Sequence, residues 1–141
     1  MISVAAAAGI YTITRSAPMI VAFLCAGVLL DLDHWVDYWF EYGRRFDVLH
    51  FFRVVAQKRF RRAFLLLHTW EGFLLSIGLA WWSGWNPWLA GGCLGWGSHL
   101  LLDQFSTHPN RFGYFLIWRA LGRFDYQQTF PVPYEPKELK K

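Results

Sequence analysis

Three short clusters of imidazole and carboxylate interrupt an apolar chain: Asp31-Leu32-Asp33-His34, His68-Thr69-Trp70-Glu71 and His99-Leu100-Leu101-Leu102-Asp103. Imidazole nitrogen and carboxylate oxygen together are the ligand mixture of a transition-metal site. Each cluster lies in or beside a segment apolar enough to enter a bilayer, where an ionisable side chain costs roughly 2.5–3.5 kcal/mol on insertion scales. A shared metal centre is the reason that would account for all three.

On a helix, His99 and Asp103 are one turn apart on a single face, which suits both a ligand pair and a hydrogen-bonded structural pair. His68 and Glu71, at i and i+3, also share a face, and the plain alternative is a polar helix contact. Asp31, Asp33 and His34 form the most specific cluster, because two acids so close together repel without a cation. Asp37, four residues beyond Asp33, is a further ligand or a partner that orients His34. His50 stands apart from any acid and reads as an interfacial histidine, while His108, in front of Pro109, can approach from a loop. The expected metal residues are therefore Asp31, Asp33, His34, His68, Glu71, His99 and Asp103.

Such a nitrogen-rich, thiolate-free set suits Zn²⁺ first and Mn²⁺ or Fe²⁺ next; Ca²⁺ prefers all-oxygen sites. The surplus of acids has room for one ion or two, with water attacking an ester or phosphoester and Glu71 or Asp33 as the catalytic base. Cys25 and Cys93 lie in apolar runs without metal or disulfide spacing. No phosphate-binding glycine loop or Ser–His–Asp pattern is present.

The elements that must carry these residues read as all-α: a small polytopic membrane bundle with about three transmembrane helices plus interfacial or half-membrane helices, in one domain over residues 1–141. Of the chain, 55% is hydrophobic and 20% aromatic, too apolar for a soluble domain of this size, and 9 Trp, 13 Phe and 6 Tyr suit membrane interfaces. The first span runs Ala17 to Leu30, opened by Pro18, and continues through Asp31–Phe40. Ala63 to Trp82 makes the second and Trp88 to Phe105 the third, its Gly91, Gly92, Gly95 and Gly97 permitting close helix approach. Val4 to Thr14 reads as a half-membrane or interfacial helix, and Phe112 to Leu121 as a weaker aromatic segment. Met1 to Gly9 lacks the basic region and cleavage site of a secretory signal, so it is expected to remain in the chain.

Residues 41–62 form a basic connector able to lie along a membrane as an amphipathic helix. The net charge of +4 is concentrated there and in an extended tail at 124–141, a membrane-flanking pattern rather than a nucleic-acid footprint. The turn Ser83-Gly84-Trp85-Asn86-Pro87 is uncharged, so the positive-inside rule places connector and tail in the cytoplasm. All three clusters then fall near one cytoplasmic level of a bacterial inner membrane, in contact with lipids. Arg59, Arg61 and Arg62 sit where an arginine can meet an anionic head group.

Leu-Leu-Asp-Leu-Asp-His, the later His68 at the start of an apolar run, and Ser98-His99-Leu-Leu-Leu-Asp103 resemble the YdjM-like inner-membrane proteins. That family is described as membrane-bound metal-dependent hydrolases, and the likeness covers residues 27–106. It implies that Asp31, Asp33, His34, His68, His99 and Asp103 are metal residues. Here the central motif has one histidine instead of two, with Glu71 as the substitute, and no histidine precedes His34. The leading expectation is a multi-pass, metal-dependent hydrolase of a lipid ester or phosphoester, with a homo-oligomer left open. The rivals are a divalent-metal or proton transport component and a non-catalytic membrane protein.

Overall fold

The computed structural model describes residues 9–44, 47–57 and 60–131. Ser16 starts the first long helix by accepting a hydrogen bond from the Met19 N–H, and Pro18 falls in the opening turn where its missing N–H costs nothing. Helix α1 (Ala17–Leu29) passes through a tight 3₁₀ turn, Leu30–Leu32, into α2 (Asp33–Tyr42), which stops at Gly43 with φ +79°. The 26-residue run Ala17–Tyr42 is, among the described residues, the one helix both long and apolar enough to cross a membrane. Its extent agrees with the span read from the sequence.

Helix α3 (Val48–Ala56) is capped by Asp47 and is amphipathic, burying Phe51 and Val54 while Leu49 and Phe52 face outward. Helix α4 (Trp70–Trp82) is capped by Thr69, and α5 (Pro87–Ser106) by Asn86. Two short helices follow, α6 (Leu116–Leu121) and α7 (Tyr126–Thr129). Of the half-membrane segment expected at Val4 to Thr14, residues 9–14 are helical and the rest lies outside the described residues.

Three expectations need correction. The second span does not begin at Ala63: residues 63–69 are irregular, and α4, with 13 residues, is only about 20 Å long. The tail is not extended from its start, because Tyr126 and Phe130 are buried and the Tyr126 N–H donates to the Arg61 carbonyl. In Phe112 to Leu121 only the last turn and a half is helical.

Helix α5 lies along α1, and two glycines make that approach possible. A Cβ at Gly91 would collide with the Met19 carbonyl, and one at Gly95 with the Phe23 carbonyl. Gly97 receives the Phe73 ring of α4, whereas Gly92 faces open space. Outward from this three-helix contact point Val21, Leu24 and Val28 of α1, Leu74, Leu75 and Trp82 of α4, and Leu101 and Phe105 of α5. Such contiguous apolar surface marks a membrane or partner contact. Beyond Asp33 the character changes to a closed core of Tyr38, Phe51, Val54, Phe60, Ala63, Leu65, Tyr114, Tyr126 and Phe130.

Candidate metal centre

Four ligand-type atoms converge where these two parts meet. His68 Nε2 lies 3.1 Å from His99 Nε2; Asp103 Oδ2 is 3.3 Å from the first and 3.5 Å from the second; Asp31 Oδ1 is 3.8 Å and 3.3 Å from them. Bonds of about 2.0–2.1 Å in a tetrahedral zinc site separate neighbouring ligand atoms by about 3.3–3.4 Å. Asp31, His68 and His99 each offer an atom within 4.8 Å of the other two, a group that could hold a metal ion, and Asp103 Oδ2 stands beside both nitrogens. Helix geometry supplies two of the four: His99 and Asp103 are one turn apart on α5.

The orientation of His68 strengthens this fit. Its Nδ1 is 3.0 Å from Asp33 Oδ2, and a carboxylate only accepts, so Nδ1 carries a proton and the ring, once neutral, turns a bare Nε2 toward His99. Two imidazole nitrogens at 3.1 Å need a proton or a cation between them. A carboxylate behind a histidine is the arrangement that fixes tautomer and ring direction in metal sites. Burial disfavours the His68 imidazolium, but hydrogen bonds and charge from Asp103 and Asp33 outweigh it and raise the pKa to about 9, so the metal-free ring holds a second proton near neutral pH.

His68 stands on a stretch without regular structure, and side chains replace the missing helix hydrogen bonds. Asp37 accepts from the Phe64 N–H, and Asp33 Oδ2 from the N–H groups of Leu67 and His68. Trp96 Nε1 donates to the Leu67 carbonyl, and Arg119 Nη2 to the carbonyls of Leu65 and His68. Every one of these partners sits on a helix, so an irregular, largely buried strand of chain is held as firmly as a regular one. Leu65 adopts φ +41°, a left-handed turn that the straps keep in place.

The other candidates take different places. The His34 ring lies 5.1 Å from that of His68 at a tilt of 46°, and Asp33, His34 and His68 offer a second set of ligand atoms within 4.8 Å of one another. The second oxygen of Asp33 is buried with no hydrogen-bond partner among the described residues. Glu71 does not join either group: its carboxylate accepts from the N–H groups of Leu116 and Ile117 at the start of α6. His50 bonds to the Tyr38 hydroxyl, and His108 lies exposed with φ +48°.

Sequence reasoning missed Arg119 and Trp96. Arg119 is 1% exposed, and its Nε and Nη1 have no hydrogen-bond partner among the described residues. A lone arginine inside Leu-Ile-Trp-Arg-Ala-Leu was the available signal, by the same reasoning that singled out the acids. A cavity of about 110 Å³ adjoins the centre, with His34, Asp37, Asp103, Thr107 and Tyr114 as its polar lining. Compared with known proteins, the chain matches no family model, no curated protein and no solved structure.

Proposed function

We propose that the protein is a metal-dependent hydrolase of the inner membrane that cleaves an ester or phosphoester of a lipid, and that it belongs with the YdjM-like proteins its motifs resemble. The observation that carries this reading is the convergence of His68 Nε2, His99 Nε2, Asp31 Oδ1 and Asp103 Oδ2, with Asp33 locking His68 from behind. Zn²⁺ suits a tetrahedral set of two imidazoles and two carboxylates best. A divalent ion bound there would supply Lewis acidity and make water nucleophilic near neutral pH.

The chain's own residues divide the remaining work. His68 and His99 are buried or half-buried and held rigidly, which keeps the donor set preorganised. Asp31 is the open member, with its side chain 60% exposed, and stands where a substrate approaches and where a proton from water can be taken. Leu32, Leu66 and Leu67 are exposed around it and give the approach an apolar rim suited to a lipid chain. The length and apolarity of the helix Ala17–Tyr42, the basic connector and the outward apolar faces of α4 and α5 support a reading in which this opening lies a turn or two inside the cytoplasmic boundary of the membrane.

A transport pathway would spread its ionisable groups from face to face, whereas these gather at one level. Elemental analysis of the detergent-purified protein, followed by turnover of a lipid panel with and without chelator, tests the proposal. Bound divalent metal and chelator-sensitive hydrolysis are expected. Protein that neither retains nor gains a divalent ion would overturn it.

A further inference from the structure

A wider cleft, of about 350 Å³, opens beside the centre and is lined by Asp37, Phe40, Glu41, Arg61, Arg62 and Phe64. Its charges are unevenly spent. Asp37 is buried and committed to the Phe64 N–H, while Glu41 is committed to Arg61, through the guanidinium at 3.4 Å and the backbone N–H at 3.3 Å. Two carboxylates and two guanidiniums line the cleft, and the Arg62 guanidinium, with no partner among the described residues, is its free cationic donor.

The two arginine side chains are exposed, but the backbone beneath them is held in place. The Arg61 carbonyl accepts from the Tyr126 N–H, Arg62 forms a β-bridge with Asp125, and the Ala63 N–H donates to Phe124, so the backbone from which both side chains grow is fixed on either side. Phe40, an exposed aromatic, forms the apolar edge of the cleft. An anionic oxygen cluster on an amphiphile meets the requirements of a planar guanidinium beside an aromatic wall.

The position of the cleft along the helix selects the bond. Asp37, Phe40 and Glu41 follow Asp31 by six to ten residues, which is about 9–15 Å along the axis toward the basic end of the helix. A head-group phosphate held there cannot also have its own phosphorus at the centre. The acyl ester of a glycerolipid, several bonds deeper in the direction of the chains, can reach it. Asp37 stands between the cleft and the inner cavity, lining both, and that cavity reaches His34 and Asp103.

We infer that the Arg61–Arg62 cleft is a head-group subsite for the phosphate of a phosphoglyceride, and that the bond presented to the centre is an acyl ester rather than a phosphoester. This rests on the hydrolase reading above for the chemistry, but not for the binding. In the step, water oxygen bonds to the acyl carbon, the acyl carbon–alkoxy oxygen bond breaks, and the departing alkoxide takes a proton from that water. The products are a fatty acid and the lyso-lipid, which keeps its phosphate.

Binding is measured on the chelator-treated full chain in detergent, with dihexanoyl phosphatidic acid, neutral dihexanoylglycerol and inorganic phosphate as probes, in wild type, Arg62→Ala, Arg62→Lys and Arg53→Ala. The expected result is that phosphatidic acid binds at least tenfold more tightly than either other probe. Arg62→Ala should weaken it at least fivefold, Arg62→Lys less, and Arg53→Ala, which removes an equal charge from the exposed side of α3, not at all. Equal loss in Arg62→Ala and Arg53→Ala, or equal binding of the neutral lipid, overturns the subsite. Inorganic phosphate binding as tightly as the lipid overturns the amphiphile. A second arm gives phosphatidic acid to the metal-loaded protein and identifies the product: fatty acid is expected, and release of inorganic phosphate overturns the choice of bond. Failure of metal loading with Arg62-dependent lipid binding intact would remove the hydrolase reading and leave the subsite standing.

Discussion

The two halves of the molecule solve the burial problem differently. Around α1, α4 and α5, close contact relies on glycine, and the larger apolar side chains point outward. In the other half, aromatic and aliphatic side chains from α2, α3, the irregular stretch and residues 114–130 close over one another. The first half turns its apolar side chains outward and the second closes them within. Ionisable groups are costly in one and need partners in the other, so the seam between them is where carboxylates and imidazoles can be both sheltered and open to an incoming molecule.

Replacing a ligand attacks the seam where its two halves meet. His99→Ala should lower metal affinity by more than about a hundredfold and abolish hydrolysis, because an exchange of one strong donor for none exceeds the 10–100-fold typical of outlying partners. Chelator competition on purified protein measures it, and retained affinity would refute the ligand assignment. Asp33→Asn is the next largest, within that 10–100-fold range, since it weakens the bond that fixes His68 without removing a ligand. It should also loosen the chain at Leu67 and His68, visible as faster amide exchange there.

Proton competition gives a smaller and graded effect. The His68 pKa is raised above the ordinary 6.5 to about 9, so this proton's contribution to metal-free stability is complete below about pH 6.5 and is lost as pH rises through 9. Metal must displace the same proton. Apparent affinity should therefore climb by at least about tenfold per pH unit across most of the window from 6.5 to 9. An affinity independent of pH over that window would mean that His68 is not a ligand.

Much of this division was legible in the residues, and what escaped did so for a physical reason. The long first helix, the glycine-bearing α5 and the meeting of His68, His99, Asp31 and Asp103 follow from apolar periodicity, helix spacing and charge asymmetry, which are local or summed signals. The irregular stretch was invisible, because Ala-Phe-Leu-Leu-Leu-His-Thr has every local preference of a helix. What overrides that preference comes from Asp33, Asp37, Trp96 and Arg119, all about thirty to fifty residues away in the chain. The same remoteness hid the use of Glu71, whose partners at Leu116 and Ile117 no nearby residue announces.

The glycine-lined half can be broken without touching the centre directly. Gly91→Leu drives a side chain into the Met19 backbone, two turns from His99, and overpacking of this kind typically costs 1–3 kcal/mol. Thermal unfolding in detergent should show that loss, while metal bound per folded chain remains close to wild type. If metal is lost in proportion, the centre depends on the whole α1–α5 contact and the two halves are not separable.

The mildest substitution is also the one that discriminates best between roles for Glu71. Its carboxylate holds two N–H groups that α6 cannot satisfy by itself, and α6 carries Arg119, which in turn holds the carbonyls of Leu65 and His68. Glu71→Gln keeps the shape and one acceptor, so the expected cost is about 1 kcal/mol, in the range of a lost helix cap. Metal affinity should change by less than the tenfold expected at the lower end for Asp33→Asn, because Glu71 reaches the centre only through two intervening residues. A drop as deep as that of His99→Ala would instead put its carboxylate on the ion and make α6 a passive neighbour.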